Sequence, residues 1–259
     1  MKQYLEFAKD VARHAGEITR RYFSQENGAS YKYDQTIVTK ADTEINAYLI
    51  ERVRDTFPSH AVDGEEAQHG SSEYVWVCDP VDGTAMYARH IPVSVFSLAL
   101  VRDGAPIVGV IYDPFTDQLY EASLGGGAYQ NGRRIHVSDT PFSGMRTVVN
   151  LDTWPHADYD LWEVFRELGK KTYTVSFGSI IHAAACVANG DLVAAIYPGT
   201  KHKNCDIAAA KIIVEEAGGR VTDLFGREQR YDGDIQGALI SNGTVHEETL
   251  ALIKKCMKD

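Results

Sequence analysis

Thiol and redox chemistry have little to work with in this 259-residue chain. Its four cysteines, Cys78, Cys186, Cys205 and Cys256, form no C-x-x-C pair, which leaves neither a zinc ribbon nor a thioredoxin-type site. The nine histidines show no paired spacing of metal ligands, and none is assigned to a metal. No run approaches the roughly 18 apolar residues of a membrane span. The stretch from Met1 to Phe23 mixes charges throughout and lacks the apolar core of a secretory signal. Positive charge is short as well: 26 Lys and Arg against 36 Asp and Glu give a formal net charge of −10. That balance disfavours nucleic-acid polymers and anionic membranes as partners. Internal repeats, low-complexity tracts and Pro/Ser-rich linkers are missing too. A reduced, cytoplasmic protein is the expectation.

What is present is an ordinary globular balance, 44% hydrophobic and 24% charged. The length prior of roughly 150 residues per domain gives one to two domains. Apolar residues at Leu5, Ala8, Val11, Ala12, Ala15, Ile18 and Tyr22 have helical spacing. Thr39 to Asp42 fits an N-terminal capping pattern for a second helix through Ile45, Leu49 and Val53, closed by Pro58. Strands are predicted at Tyr74–Cys78, Val93–Val101, Ile107–Tyr112 and from Leu119 to Ser123, with Asp103-Gly104 and Asn131-Gly132 as hairpin turns. The second hairpin would join Ala128-Tyr129 to Ile135–Val137. After about Thr140 strands and helices alternate: strands at Val148-Val149, Tyr173–Val175, Leu192–Tyr197, Arg220–Thr222 and Ala238–Ile240. Helices are predicted at Tyr159–Leu168, Ile180–Ala188, Asp206–Ala217 and from Val245. The change of pattern suggests two subdomains, 1–145 and 146–259.

Three segments hold unusually placed carboxylates: Asp63-Gly-Glu-Glu66 before a strand, Asp79-Pro-Val-Asp-Gly-Thr84 after it, and Asp206 at a helix start. Pro80 and Gly83 turn the chain so that Asp79 and Asp82 can face one point. Two unpaired carboxylates at the end of a buried strand repel and lose solvation, a penalty that a hard divalent cation removes. Oxygen-only donors without His or Cys favour Mg²⁺ over Zn²⁺. Gly83-Thr84 opens a helix whose free N–H groups form an anion site. Each carboxylate alone reads equally as a cap or turn former, and Asp63 is left in that role. Together, at element junctions with no nearby Arg or Lys, they read as a metal and phosphate pocket.

Asp79-Pro-Val-Asp-Gly-Thr84 and the later Asp206-Ile-Ala-Ala-Ala through Glu215-Glu216-Ala-Gly-Gly219 resemble the two signature motifs of the inositol monophosphatase family. Gly64-Glu65-Glu66 and Val38-Thr39-Lys-Ala-Asp42 match its upstream elements, in order, over essentially the whole chain. The resemblance implies a layered α/β/α/β/α sandwich of the sugar-phosphatase type and Mg²⁺-dependent phosphomonoester hydrolysis. It implies that Glu65, Asp79 and the Val81 carbonyl hold one Mg²⁺, and that Asp79, Asp82 and Asp206 hold a second. A third, weaker ion near Glu65 belongs to the same pattern, as do lithium sensitivity and a homodimer. Residues 1–145 would then carry most of the ligands. Glu65, Asp42 and Thr84 would be catalytic, with Thr84, and Asp42 behind it, orienting the attacking water. Asp42 and Thr84 can also be read as a helix residue and a cap.

Substrate contacts implied are Asp82, Gly83, Thr84 and the corner Gly178-Ser179, which reads equally as a helix cap. Two departures from the family pattern bear on the substrate. Members acting on inositol phosphates carry an acidic residue several positions before the third-motif aspartate and a Trp directly before it. Here the segment is Tyr197-Pro-Gly-Thr-Lys-His-Lys-Asn-Cys-Asp206, with Lys201, His202 and Lys203 instead. That loop either meets a second anionic group, with Lys201 as the substrate contact, or is a solvated basic loop. Ala85-Met86-Tyr87 also replaces the usual Thr-Asn-Phe. Inositol-1-phosphate is the first substrate to expect. Fructose-1,6-bisphosphate or a 3′-phosphoadenosine-type nucleotide comes next, then histidinol phosphate. A silent metal-binding regulatory protein is the non-enzymatic rival. Gly125-Gly-Gly127 looks like a phosphate loop but lacks the following Lys-Ser/Thr, so it reads as a turn.

Overall fold

A computed structural model of the chain describes all residues except 26, 34–35, 155–156, 201–203 and 258–259. The first helix, α1 (Lys2–Phe23), buries the predicted stripe of Ala8, Val11, Ala12, Ala15 and Ile18. A hairpin of two short strands, β1 (Ser30–Tyr31) and β2 (Ile37–Val38), leads to α2 (Lys40–Thr56), which Thr39 and Asp42 start with the expected capping box. Both helices cover one face of an eight-stranded sheet in the order β10-β9-β8-β7-β6-β5-β3-β4. Its strands are β3 (Ala61–Gly64), β4 (Gln68–His69), β5 (Tyr74–Asp82), β6 (Val95–Arg102), β7 (Ala105–Asp113), β8 (Gln118–Ser123), β9 (Gly127–Gln130) and β10 (Arg133–Arg134). The four-residue α3 (Thr84–Tyr87) follows β5.

A second sheet, ordered β12-β11-β13-β15-β14, is built from β11 (Gly144–Leu151), β12 (Thr172–Val175), β13 (Ala194–Tyr197), β14 (Arg220–Thr222) and β15 (Ala238–Ser241). Helices α5 (Ile180–Ala188) and α6 (Ala208–Glu216) fill the layer between the sheets, and α4 (Trp162–Leu168) and α7 (His246–Cys256) cover the outer face. The result is five layers, α/β/α/β/α. Small side chains permit the middle layer: a Cβ on Gly109 of β7 would lie 2.9 Å from the Ala209 carbonyl oxygen and 2.5 Å from Ile212 Cγ2 of α6.

The structure departs from the sequence reading at several ends. Strand β5 runs on through Asp79 to Asp82 rather than turning after Cys78. The extra residue is absorbed as a bulge: Asp79 pairs with Ser97 but Asp82 with Val95. Asp206 closes a 3-10 turn, Asn204–Asp206, and α6 begins only at Ala208. The Asp206 side chain accepts hydrogen bonds from Tyr197 and Cys205, so it does not cap α6. Helix α4 starts at Trp162, since Asp160 accepts the Trp162 N–H there. Strand β10 stops at Arg134, and Ile135–Val137 lie outside the sheets.

Candidate active site

In a regular strand, residues three apart face opposite sides. The bulge in β5 lifts that restriction for Asp79 and Asp82. Both are buried, at 2% and 9% exposure, and Asp206 is buried at 6%. Asp79 Oδ1 accepts the Val81 N–H at 3.0 Å. Asp82 Oδ2 is held by the start of α5, accepting from Ser179 Oγ at 2.5 Å and from the Ile181 N–H at 2.8 Å. Burial, then the charge of Asp206, pushes Asp82 up to about 8. Gly83 follows with φ of 82°, and a Cβ there would come within 2.9 Å of the Gly178 carbonyl oxygen. Only glycine fits between these two segments. Thr84 Oγ1 donates to the Val81 carbonyl at 2.8 Å.

Glu65 follows β3, which runs parallel to β5 with Gly64 opposite Cys78, and its N–H donates to the Cys78 carbonyl at 3.0 Å. Lys32, in the β1–β2 hairpin, places Nζ 2.6 Å from Glu66 and 3.5 Å from Glu65. Asn46 of α2 shapes the same turn: Oδ1 accepts the Glu66 and Ala67 N–H groups, and Nδ2 donates to the Ala67 carbonyl. Asp42 is fully buried. Its Oδ2 accepts from the Thr39 N–H and hydroxyl, while Oδ1 has no partner. Burial, opposed by the Thr39 hydroxyl, pushes it up to about 7, with the Glu65 charge adding to the rise. Asp42 and Thr84 are not hydrogen-bonded to each other, Thr84 being turned to Val81.

Gly178-Ser179 packs directly against this cluster. Ser179 caps α5, its hydroxyl accepting the His182 N–H while donating to Asp82. Cap and carboxylate contact are thus one group. Asp152, which sequence reasoning passed over, anchors the corner from behind: Oδ1 accepts Ser176 Oγ at 2.7 Å and the Gly178 N–H at 2.8 Å. Lys201, His202 and Lys203 lie outside the described residues. Gly125 and Gly127 donate their N–H groups to the Glu216 carboxylate at 2.6 and 2.7 Å, so this loop's donors hold an internal anion.

Among the described residues no three His, Cys, Asp or Glu side chains close into a ready cage. The donor chemistry nonetheless fits a hard cation: oxygen-only, with three buried carboxylates of which Asp82 is pushed to about 8 beside Asp206. Asn46 had one legible signal, a polar residue on the stripe of Leu49 and Val53. Asp152 and Lys32 had none, because only the tertiary fold brings them to the site.

Five alternating layers, with buried Asp79 and Asp82 at the end of β5 and buried Asp206 in the turn before α6, define the sugar-phosphatase class of fold. The model of the inositol monophosphatase family matches residues 1–258. A fructose-1,6-bisphosphatase/inositol-1-monophosphatase of Aquifex aeolicus is 32% identical, over 100% of this chain and 98% of its own length. A histidinol-phosphatase of Chlorobaculum parvum is 30% identical over 98% of each. The solved structure of a Thermotoga maritima IMPase superposes with a TM-score of 0.88 at 28% identity, covering 98% of both chains. The chain belongs to the inositol monophosphatase family, a generally metal-dependent one, and is a phosphomonoester hydrolase acting on a small phosphorylated substrate. No helix among the described residues is long and apolar enough to cross a membrane.

Proposed function

We propose that the protein hydrolyses inositol-1-phosphate to inositol and phosphate with Mg²⁺ as the cation. The observation that carries this reading is that Asp82 and Asp206 are both buried, and that burial first, and then the charge of Asp206, pushes Asp82 up to about 8. Glu65, Asp79, Asp82, Asp206 and the Val81 carbonyl are the proposed ligands for two ions, with a third, weaker one near Glu65. Bound there, Mg²⁺ supplies positive charge against the phosphoryl oxygens and makes a water more acidic. Thr84 orients the attacking water after exchanging its bond to the Val81 carbonyl. Asp42 is assigned to support Thr84 in orienting that water, its Oδ1 being buried without a partner. Gly83 and the Gly178-Ser179 corner form the wall on the phosphate side. Fructose-1,6-bisphosphate is the second reading, favoured by the dual name of the Aquifex relative.

The test is phosphate release from metal-stripped protein, with and without added Mg²⁺. The panel holds inositol-1-phosphate, fructose-1,6-bisphosphate, 3′-phosphoadenosine-5′-phosphate and histidinol phosphate, with Asp206→Asn as control. Preference for inositol-1-phosphate, dependent on Mg²⁺ and lost in the variant, supports the proposal. Preference for another member of the panel replaces the substrate, and release without Mg²⁺ or unaffected by Asp206→Asn rejects the site. Inhibition by millimolar Li⁺ and a homodimer in light scattering are further expectations of the same reading.

A further inference from the structure

Asn204 opens the 3-10 turn that ends on Asp206, and it is buried. Both its amide hydrogens are engaged: Nδ2 donates to Asp63 Oδ2 at 3.0 Å and to the Tyr231 carbonyl at 2.8 Å. Asp63 stands on β3, two residues before Glu65, and its other oxygen accepts from Gln68 Nε2 at 2.6 Å. Tyr231 is fixed in turn, its N–H donating to the Gly104 carbonyl at 2.8 Å in the β6–β7 turn. A single amide therefore joins two acidic segments 141 residues apart in sequence, between the residues just before Glu65 and just before Asp206.

The chemistry of the linker matters as well as its position. A primary amide offers two donors and no charge. It satisfies Asp63 without adding a cation that would compete for the neighbouring carboxylates, as a lysine at the same place would. We propose that Asn204 and Asp63 are a positioning pair that sets the placement of Asp206 relative to Glu65 and thereby tunes cation affinity. This rests on the reading of Glu65 and Asp206 as cation ligands. Neither Asn204 nor Asp63 touches the reacting atoms. Partners that orient ligand-bearing groups typically change metal affinity by about 10- to 100-fold when removed.

The experiment is calorimetric titration of the metal-stripped, full-length protein with Mg²⁺ alone, with no substrate present. The proteins are wild type, Asn204→Ala, Asp63→Ala, the double variant, Asp63→Asn and Asp206→Asn, each with its metal-free melting temperature. Each alanine variant is expected to weaken Mg²⁺ binding about tenfold, and the double variant no more than either single one. Asp63→Asn keeps an acceptor for the Asn204 amide and should stay within about twofold of wild type. Unchanged affinity in both alanine variants, or losses that multiply in the double, overturns the pair. Loss in Asp206→Asn with none in the alanine variants rejects the pair alone, whereas unchanged binding in Asp206→Asn rejects the ligand reading beneath it. If Asn204→Ala fails to fold, the contrast between Asp63→Ala and Asp63→Asn decides, because Asp63 lies only partly buried.

Discussion

Asp42 has one carboxylate oxygen engaged twice by Thr39 and the other buried without a partner. Burial outweighs those two hydrogen bonds, and the group rises from its ordinary 3.8 to about 7. A carboxyl whose folded value lies above its unfolded one contributes stability below 3.8 and loses it as the pH rises through about 7. Asp42→Asn should therefore raise the melting temperature of the metal-free protein at pH 8 and change it little near pH 4. Thermal melts at the two values check this, and equal shifts at both would count against it. The same substitution alters a proposed catalytic carboxylate, the one assigned to support Thr84, so phosphate release should fall while stability rises. At Asp82 the expectation is harsher. Asp82→Asn leaves the α5 contact with a neutral partner and deletes a proposed ligand. Several kcal/mol of charge stabilisation, about a thousandfold in kcat, should be lost. Steady-state rates with saturating Mg²⁺ measure it, and retained activity would remove Asp82 from the ligand set.

Local chemistry made much of the fold legible, element by element. The capping box at Thr39 and Asp42, the stripe of α1 and the hairpin turn at Asp103-Gly104 are short-range signals, and the structure repeats them. Where partners come from afar the reading slipped. Nothing in the sequence between Asp79 and Asp82 announces that β6 will carry the strand onward with a bulge. The helix expected from Asp206 starts later because that carboxylate turns to Tyr197 instead. The acidic motifs were visible, but Asp152 and Asn204 are ordinary polar residues until the layers assemble. The Gly125–Gly127 turn yields a prediction of its own, since Glu216 at the end of α6 is what its N–H groups hold. Glu216→Ala should lower stability by about 1–3 kcal/mol, the scale of hydrogen bonds to a charged group that is only partly buried. Phosphatase activity should stay unchanged, and loss of activity would give the loop a role beyond that of a turn.

For the molecule as a whole, pH acts through two opposed sets of buried groups. Asp42 and Asp82 are raised to about 7 and about 8, so the metal-free protein gains stability from them as the pH falls through those values. His246 works the other way. It sits where β14, β15 and α7 meet, with Nδ1 at 2.8 Å from Ser241 Oγ and Nε2 at 3.1 Å from Thr222 Oγ1. Burial, helped by the charges of Arg220 and Lys211 and opposed by Glu247 and Glu228, lowers it from 6.5 to about 4. A group depressed in this way contributes stability above 6.5 and loses it as the pH falls towards 4, because the unfolded chain takes up the proton first. The slope of wild-type stability with pH mixes both trends, so a difference between variants is the clean observable. His246→Gln cannot be protonated and still offers a donor and an acceptor to the two hydroxyls. Its stability deficit relative to wild type should be largest at pH 7 and shrink steadily towards pH 4.5. Denaturant melts of metal-free protein across that range measure the gap. A gap that stays constant with pH would show that His246 acts through packing alone.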